Sequence, residues 1–125
     1  MEVAVPKRCV VVVEDDPLLR SHAVAVLDAA GLDVADFETA DEALAFIERR
    51  AGAVSAVLTD VQVPGRLDGF DLAVRLSISW PEMLVLVTSG LDRPDSLLIP
   101  SVAFLPKPWR ALDVLTALQG GAGAG

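Results

Sequence analysis

Five residues in this sequence could do chemistry together: Glu14 and Asp15, Asp60, Thr88 and Lys107. Each stands at or just beyond the end of an apolar run. Cys9-Val10-Val11-Val12-Val13 leads into Glu14-Asp15-Asp16, Ala56-Val57-Leu58-Thr59 into Asp60, Met83-Leu84-Val85-Leu86-Val87 into Thr88-Ser89-Gly90, and Val102-Ala103-Phe104-Leu105 into Pro106-Lys107-Pro108. Three carboxylates gathered within about 5 Å repel by roughly 3 kcal/mol per pair at an effective dielectric near 20, so such a cluster calls for a cation. The donors are all oxygen, with no His or Cys among them. That favours a hard ion, and an open carboxylate edge with room for waters suits Mg²⁺. An aspartate beside Mg²⁺, a lysine and a hydroxyl is suited to accept a phosphoryl group, because that transfer needs in-line positioning and neutralisation of the equatorial oxygens.

These residues can meet only if the elements before them share one edge. Apolar runs without alternation, as at residues 8–13 and 56–60, read as buried strands, and further strands are read at 33–37, 83–88 and 102–105. Helical patterns lie between them. Asp16-Pro17 starts the first, since Asp caps well and Pro fits the first helical position. Its face is Leu19, Ala23, Val26, Leu27 and Ala30, and Gly31 stops it. Thr39-Ala40-Asp41-Glu42 has the spacing of a capping box for the second, which buries Ala43, Leu44, Phe46 and Ile47 and ends in water at Glu48-Arg49-Arg50. The third begins near Asp68-Gly69 with Phe70, Ala73, Val74 and Leu76, and Trp80-Pro81 closes it. The last carries Leu112, Val114, Leu115 and Leu118, and residues 120–125 follow as a flexible Gly/Ala tail. Strand–helix alternation with right-handed crossovers predicts an α/β fold, a doubly wound parallel sheet whose strand ends converge on one edge. Residues 91–99 hold a central Pro94 and are too few for a full helix, so a loop or at most one turn is expected there.

With 125 residues, 53% of them apolar, the chain suffices for one core and one domain, residues 1–119. A net charge of −8 without any basic block argues against nucleic-acid or anionic-membrane partners. Cys9 is the single cysteine and lies within an apolar strand, so it is a small core residue without a disulfide. No apolar run approaches the ~20 residues of a membrane span, nor does the start read as a signal peptide. The expectation is a cytoplasmic protein. His22, the only histidine, is expected to be exposed and without a role, Trp109 to pack near the site, and Trp80 to plug a loop.

An acidic pair after the first strand, Asp60 ending the third and followed by Pro64 and Asp68-Gly69, Thr88 after the fourth, and Lys107-Pro108 after the fifth together resemble the receiver domain of two-component response regulators. The resemblance runs from about Arg8 to Leu118. It implies a flavodoxin-like five-stranded sheet of order 2-1-3-4-5, with the fourth helix short or absent here. It makes Asp60 the phosphoacceptor and Glu14 and Asp15 the Mg²⁺-binding pair, with the backbone carbonyl of Gln62 a further ligand. Thr88 is then the hydroxyl that follows phosphorylation, Lys107 the partner of the phosphoryl oxygens, and Phe104 the aromatic switch position. Asp16 is left as the helix cap. The implied partners are a sensor histidine kinase or histidine phosphotransfer protein upstream and another protein downstream, or a phosphorelay. No output segment is read after Leu118, so a stand-alone regulator, monomeric or weakly dimeric, is expected. It would assist its own phosphorylation and dephosphorylation without being an enzyme on other substrates.

Three features depart from the family pattern. One extra residue lies between Pro64 and Asp68, Phe104 lacks a hydroxyl, and the fourth helix is missing from the pattern. Taken singly, each site residue has a bland explanation: a solvated helix entry at Glu14-Asp15-Asp16, a cap at Asp68, a strand end at Thr88, a surface charge at Lys107. Their joint placement at strand ends does not. Of the rival functions, a haloacid-dehalogenase-type Mg²⁺ phosphatase wants a second Asp where Gln62 stands, and a flavodoxin-like mononucleotide site would be repelled by Glu14-Asp15-Asp16. A pseudo-receiver that only binds partners would usually have lost Asp60, Lys107 or the acidic pair.

Overall fold

Val10, Val11, Val12 and Val13 are each at most 1% exposed, and this follows from their strand having neighbours on both sides and helices above and below. The computed structural model describes residues 9–90 and 102–122. Its sheet has five strands, β1 (Cys9–Val13), β2 (Asp33–Phe37), β3 (Val54–Asp60), β4 (Leu84–Ser89) and β5 (Val102–Pro106), in the order β2-β1-β3-β4-β5. All four pairings are parallel. The helices are α1 (Pro17–Ala29), α2 (Ala40–Arg50), α3 (Gly69–Ser79) and α4 (Ala111–Ala122), with a 3-10 turn at Ala51–Ala53. The expected class and strand order are thus observed. The expectation for residues 91–99, including a short or absent helix, lies outside the described residues.

Alternation along the strands sorts the core into two layers. Val11, Val13, Val57, Val85 and Val87 face α2 and α3, where Ala43, Ile47, Leu72 and Leu76 cover them. Val10, Val12, Ala56, Leu58 and Leu86 face α1 and α4 and meet Ala23, Leu27 and Val114. Caps fix where the helices start. The Asp16 carboxylate accepts from Leu18 N (2.9 Å) and Leu19 N (3.3 Å), and the Thr39 hydroxyl accepts from Glu42 N at 3.1 Å. At α3, Asp68 and Asp71 exchange bonds between side chain and backbone in a full capping box (2.8 and 3.0 Å).

The buried faces are narrower than the apolar patterns predict. Leu19, Val74 and Leu112 are 42%, 43% and 68% exposed, and Ala30 is an exposed cap rather than part of the α1 face. In α3 the buried stripe is Gly69, Leu72, Ala73 and Leu76, and Val74 falls just past it. Leu112 lies two residues before buried Val114, about 200° around the helix, and so faces water. The helix α4 runs through Ala122, into the Gly/Ala stretch read as a tail. No helix among the described residues is long and apolar enough to cross a membrane.

Candidate functional site

Every helix following a parallel strand starts at the sheet's carboxyl edge, so that edge collects both the strand-end side chains and the positive ends of helix dipoles. Glu14 continues the β1 ladder by donating its N–H to the Phe37 carbonyl at 3.0 Å. This turns its side chain inward, where it is 8% exposed. Asp60 ends β3 opposite Thr88 in the register, and Val61 N donates to the Thr88 carbonyl at 3.0 Å. Lys107 is carried just past β5, its N–H bonded to the Ser89 carbonyl at 2.9 Å, and the Lys107–Pro108 peptide is cis.

From there the Lys107 ammonium bridges two carboxylates, donating to Asp60 Oδ2 at 3.1 Å and to Glu14 Oε1 at 3.3 Å. Oxygens of Glu14, Asp15 and Asp60 all lie within 4.8 Å of one another. Asp15 is exposed, Asp60 half-buried, and Glu14 buried, which makes a three-carboxylate cup open on one side. Asp16 turns away to cap α1, as expected. Burial pushes the Glu14 carboxyl above its ordinary value, and the bond from Asp16 N (3.1 Å) and the Lys107 charge only partly oppose it. For Lys107, burial disfavours the charge. The hydrogen bond and charge of Asp60, then those of Glu14, outweigh that and hold the ammonium above its usual pKa. The pair is therefore asymmetric: Glu14 is the more enclosed partner and also feels Asp60, whereas Lys107 has two anions for one cation.

A small cleft joins Glu14, Asp60 and Thr88 to Leu19, Ala23, Leu58 and Trp109. Trp109 thus packs beside the site as expected, and its ring stacks on His22 at 5.5 Å between centroids. His22 is exposed as read, but this contact was not foreseen, since nothing local marks two rings so distant in sequence as neighbours. Gln62 sits exposed in the loop after β3. Phe104 is not part of the cleft. It pairs with Val87, one row below Thr88, and packs on the α2–α3 side.

The loop from β3 to α3 is shaped by two glycines. Gly69 N donates to the Val61 carbonyl at 2.8 Å, so close that a Cβ would collide with the Asp60 carbonyl oxygen and stand 2.7 Å from its carbon. Gly65 adopts φ 114°, a conformation that L side chains rarely adopt. Asp41, at the start of α2, receives the Arg66 N–H at 2.8 Å and so pins the stretch that carries the extra residue. The sequence reading missed Asp41 and also Arg20, whose guanidinium donates to the Glu14 carbonyl at 2.9 Å. A lone cation one turn into the helix behind an acidic pair was the available signal.

Residues 10–119 match the response regulator receiver domain family, and the chain belongs to it. It is 34% identical over 112 residues to the transcriptional regulatory protein FixJ of Bradyrhizobium diazoefficiens, a match covering 86% of this chain and 52% of FixJ. The chain therefore spans about half the length of that relative. Identity to the response regulator receiver protein CpdR of Brucella abortus is 27% over 114 residues, 88% of this chain and 92% of CpdR. In fold, a crystal structure of a response regulator receiver protein from Sinorhizobium medicae aligns at TM-score 0.86 with 22% identity, over 94% of this chain and 96% of that one. Membership places the chain among the receiver domains of two-component signalling.

Proposed function

We propose that Asp60 accepts a phosphoryl group from phosphohistidine on a sensor histidine kinase or a histidine phosphotransfer protein. The observation that carries this reading is the Lys107 ammonium held between Asp60 and Glu14, at 3.1 and 3.3 Å, in a cup of three carboxylates at the carboxyl edge. A carboxylate oxygen of Asp60 bonds to phosphorus while the phosphorus–nitrogen bond breaks, and the imidazole nitrogen leaves with the electron pair. The all-oxygen donor set fits Mg²⁺, which Glu14, Asp15, Asp60 and the Gln62 carbonyl would hold and which, when bound, neutralises phosphoryl oxygens.

Lys107 supplies the counter-charge that stays in place during transfer. Phosphorylation adds roughly two negative charges beside it and draws the Thr88 hydroxyl inward as a donor. Because Thr88 pairs with Leu105 and Val87 with Phe104, movement of the β4 end passes to β5 and re-seats Phe104. The signal then leaves by phosphorylation-dependent contact with a protein partner or by onward phosphotransfer, and hydrolysis of the acyl phosphate resets the domain. Borohydride reduction tests the assignment. An acyl phosphate on Asp60 is converted to homoserine, and peptide fragmentation should find that residue at position 60 alone. Homoserine elsewhere would take the acceptor role from Asp60, and none after exposure to a phosphohistidine donor would leave an interaction module that is not phosphorylated.

A further inference from the structure

The exit of β1 is gripped from both sides. Glu14 N donates to the Phe37 carbonyl at 3.0 Å, and the Glu14 carbonyl receives Arg20 Nη1 at 2.9 Å. Arg20 is itself anchored on the residues flanking Phe37: its Nε lies 3.2 Å from Asp36 Oδ2 and its Nη2 4.0 Å from Glu38 Oε1. Its side chain is 19% exposed, against 44% and 68% for those partners. As surface ion pairs these would matter little. What sets them apart is the main-chain carbonyl at their centre, since the peptide it belongs to joins Glu14 to Asp15. Its plane decides where the Asp15 carboxylate points, and three mutually repelling carboxylates push that side chain outward.

We infer that Arg20 is a positioning residue for the cation site: by clamping the Glu14–Asp15 peptide to the end of β2, it keeps the acidic pair convergent on Asp60 in a geometry ready for Mg²⁺. This rests on the Mg²⁺-dependent reading above. Two physical effects of the guanidinium have opposite signs. As a positive charge near the cup it weakens cation binding, so its removal would tighten Mg²⁺; as a clamp it strengthens binding, so its removal would loosen Mg²⁺. Charge and geometry are also separable, because lysine keeps the charge but lacks the fork that reaches the carbonyl and Asp36 together.

Calorimetric Mg²⁺ titration of wild type, Arg20→Ala, Arg20→Lys, Asp36→Asn/Glu38→Gln and Asp15→Asn at fixed ionic strength tests this, with thermal midpoints measured alongside. The clamp predicts that Kd rises about tenfold in Arg20→Ala and nearly as much in Arg20→Lys, the scale typical of groups that orient metal ligands. It predicts a smaller rise when the two anchors are neutralised. A midpoint shift with Kd unmoved, a tighter Kd in Arg20→Ala, or wild-type affinity in Arg20→Lys would overturn it. Should Arg20→Ala not fold, the lysine and anchor variants decide by the same criteria. Wild type that ignores Mg²⁺, or Asp15→Asn that binds as wild type does, would instead bring down the metal site and the inference with it.

Discussion

The same sheet opens at its two ends in opposite ways. At the amino end lies a groove of about 790 Å³ lined by Val10, Val54, Trp80, Met83, Leu84 and Leu118 among others, with Ser55, Ser79 and Glu82 as its polar side chains. At the carboxyl end the cleft measures only about 10 Å³, on the scale of one water, yet Glu14, Asp60 and Thr88 line it and Lys107 is bonded to two of them. Among the described residues the only cluster that could hold a metal ion is at this smaller opening. Cavity size and converging charge therefore single out opposite ends of the sheet, and the carboxylate cluster, the Lys107 bridge and the strand termini all lie at the smaller opening.

Substitutions at the two ends should differ accordingly. The largest effect belongs to Lys107→Ala, which leaves Glu14 and Asp60 without their shared cation. The rate of phosphoryl capture from a small donor, followed by mass, should fall about 100-fold, the scale of losing one preorganised charge-stabilising donor. An unchanged rate would dissolve the distinction between the ends. Next comes Gly69→Ala, where backbone atoms of Asp60 and Val61 leave no space for a methyl group. A loss of about 2 kcal/mol in urea unfolding is expected from such overpacking. Its amino-end counterpart, Ser55→Ala, removes an exposed 3.3 Å bond to the Cys9 carbonyl and should stay within about 0.5 kcal/mol.

The smallest effect is on pH dependence. A carboxyl whose pKa is raised by folding keeps its proton in the native state after the unfolded chain has released its own, so it subtracts stability as pH rises. Without metal, the contribution of Glu14 to wild-type stability should therefore fall as pH climbs from about 4.5 through its raised value. Glu14→Gln should flatten that decline, and the difference in thermal midpoint between the two proteins should grow over the same window. Parallel curves would show that Glu14 is not strained by burial. The Lys107 contribution has its own window. It is complete below the ordinary lysine value of 10.5 and is lost as pH rises through the raised one.

How legible these features were depends on the range of the interaction behind each. The central strands β1, β3 and β4 were readable because burial on both faces demands apolar runs, and a charge directly after such a run marks its edge, as with Val13 before Glu14 and Thr59 before Asp60. Parallel topology then brought those edges together, so the convergence of Glu14, Asp15, Asp60 and Lys107 followed from order along the chain. Caps at Asp16 and Thr39 were equally local. Long-range polar contacts escaped. Asp41 reaching Arg66 N, Arg20 reaching both Glu14 and Asp36, and the His22–Trp109 stack all depend on where separate elements pack. Helix faces were misjudged at Leu19, Val74 and Leu112, because an apolar side chain turned to water is of the same type as one on the buried stripe.

Phosphoryl acceptance at Asp60 is tested most directly by intact mass after incubation with acetyl phosphate, with and without Mg²⁺, for wild type and Asp60→Asn. Wild type should gain the mass of one phosphoryl group only when Mg²⁺ is present, and Asp60→Asn should gain none under either condition. A gain in Asp60→Asn equal to wild type, or no gain in folded wild type with Mg²⁺ present, would contradict the central claim.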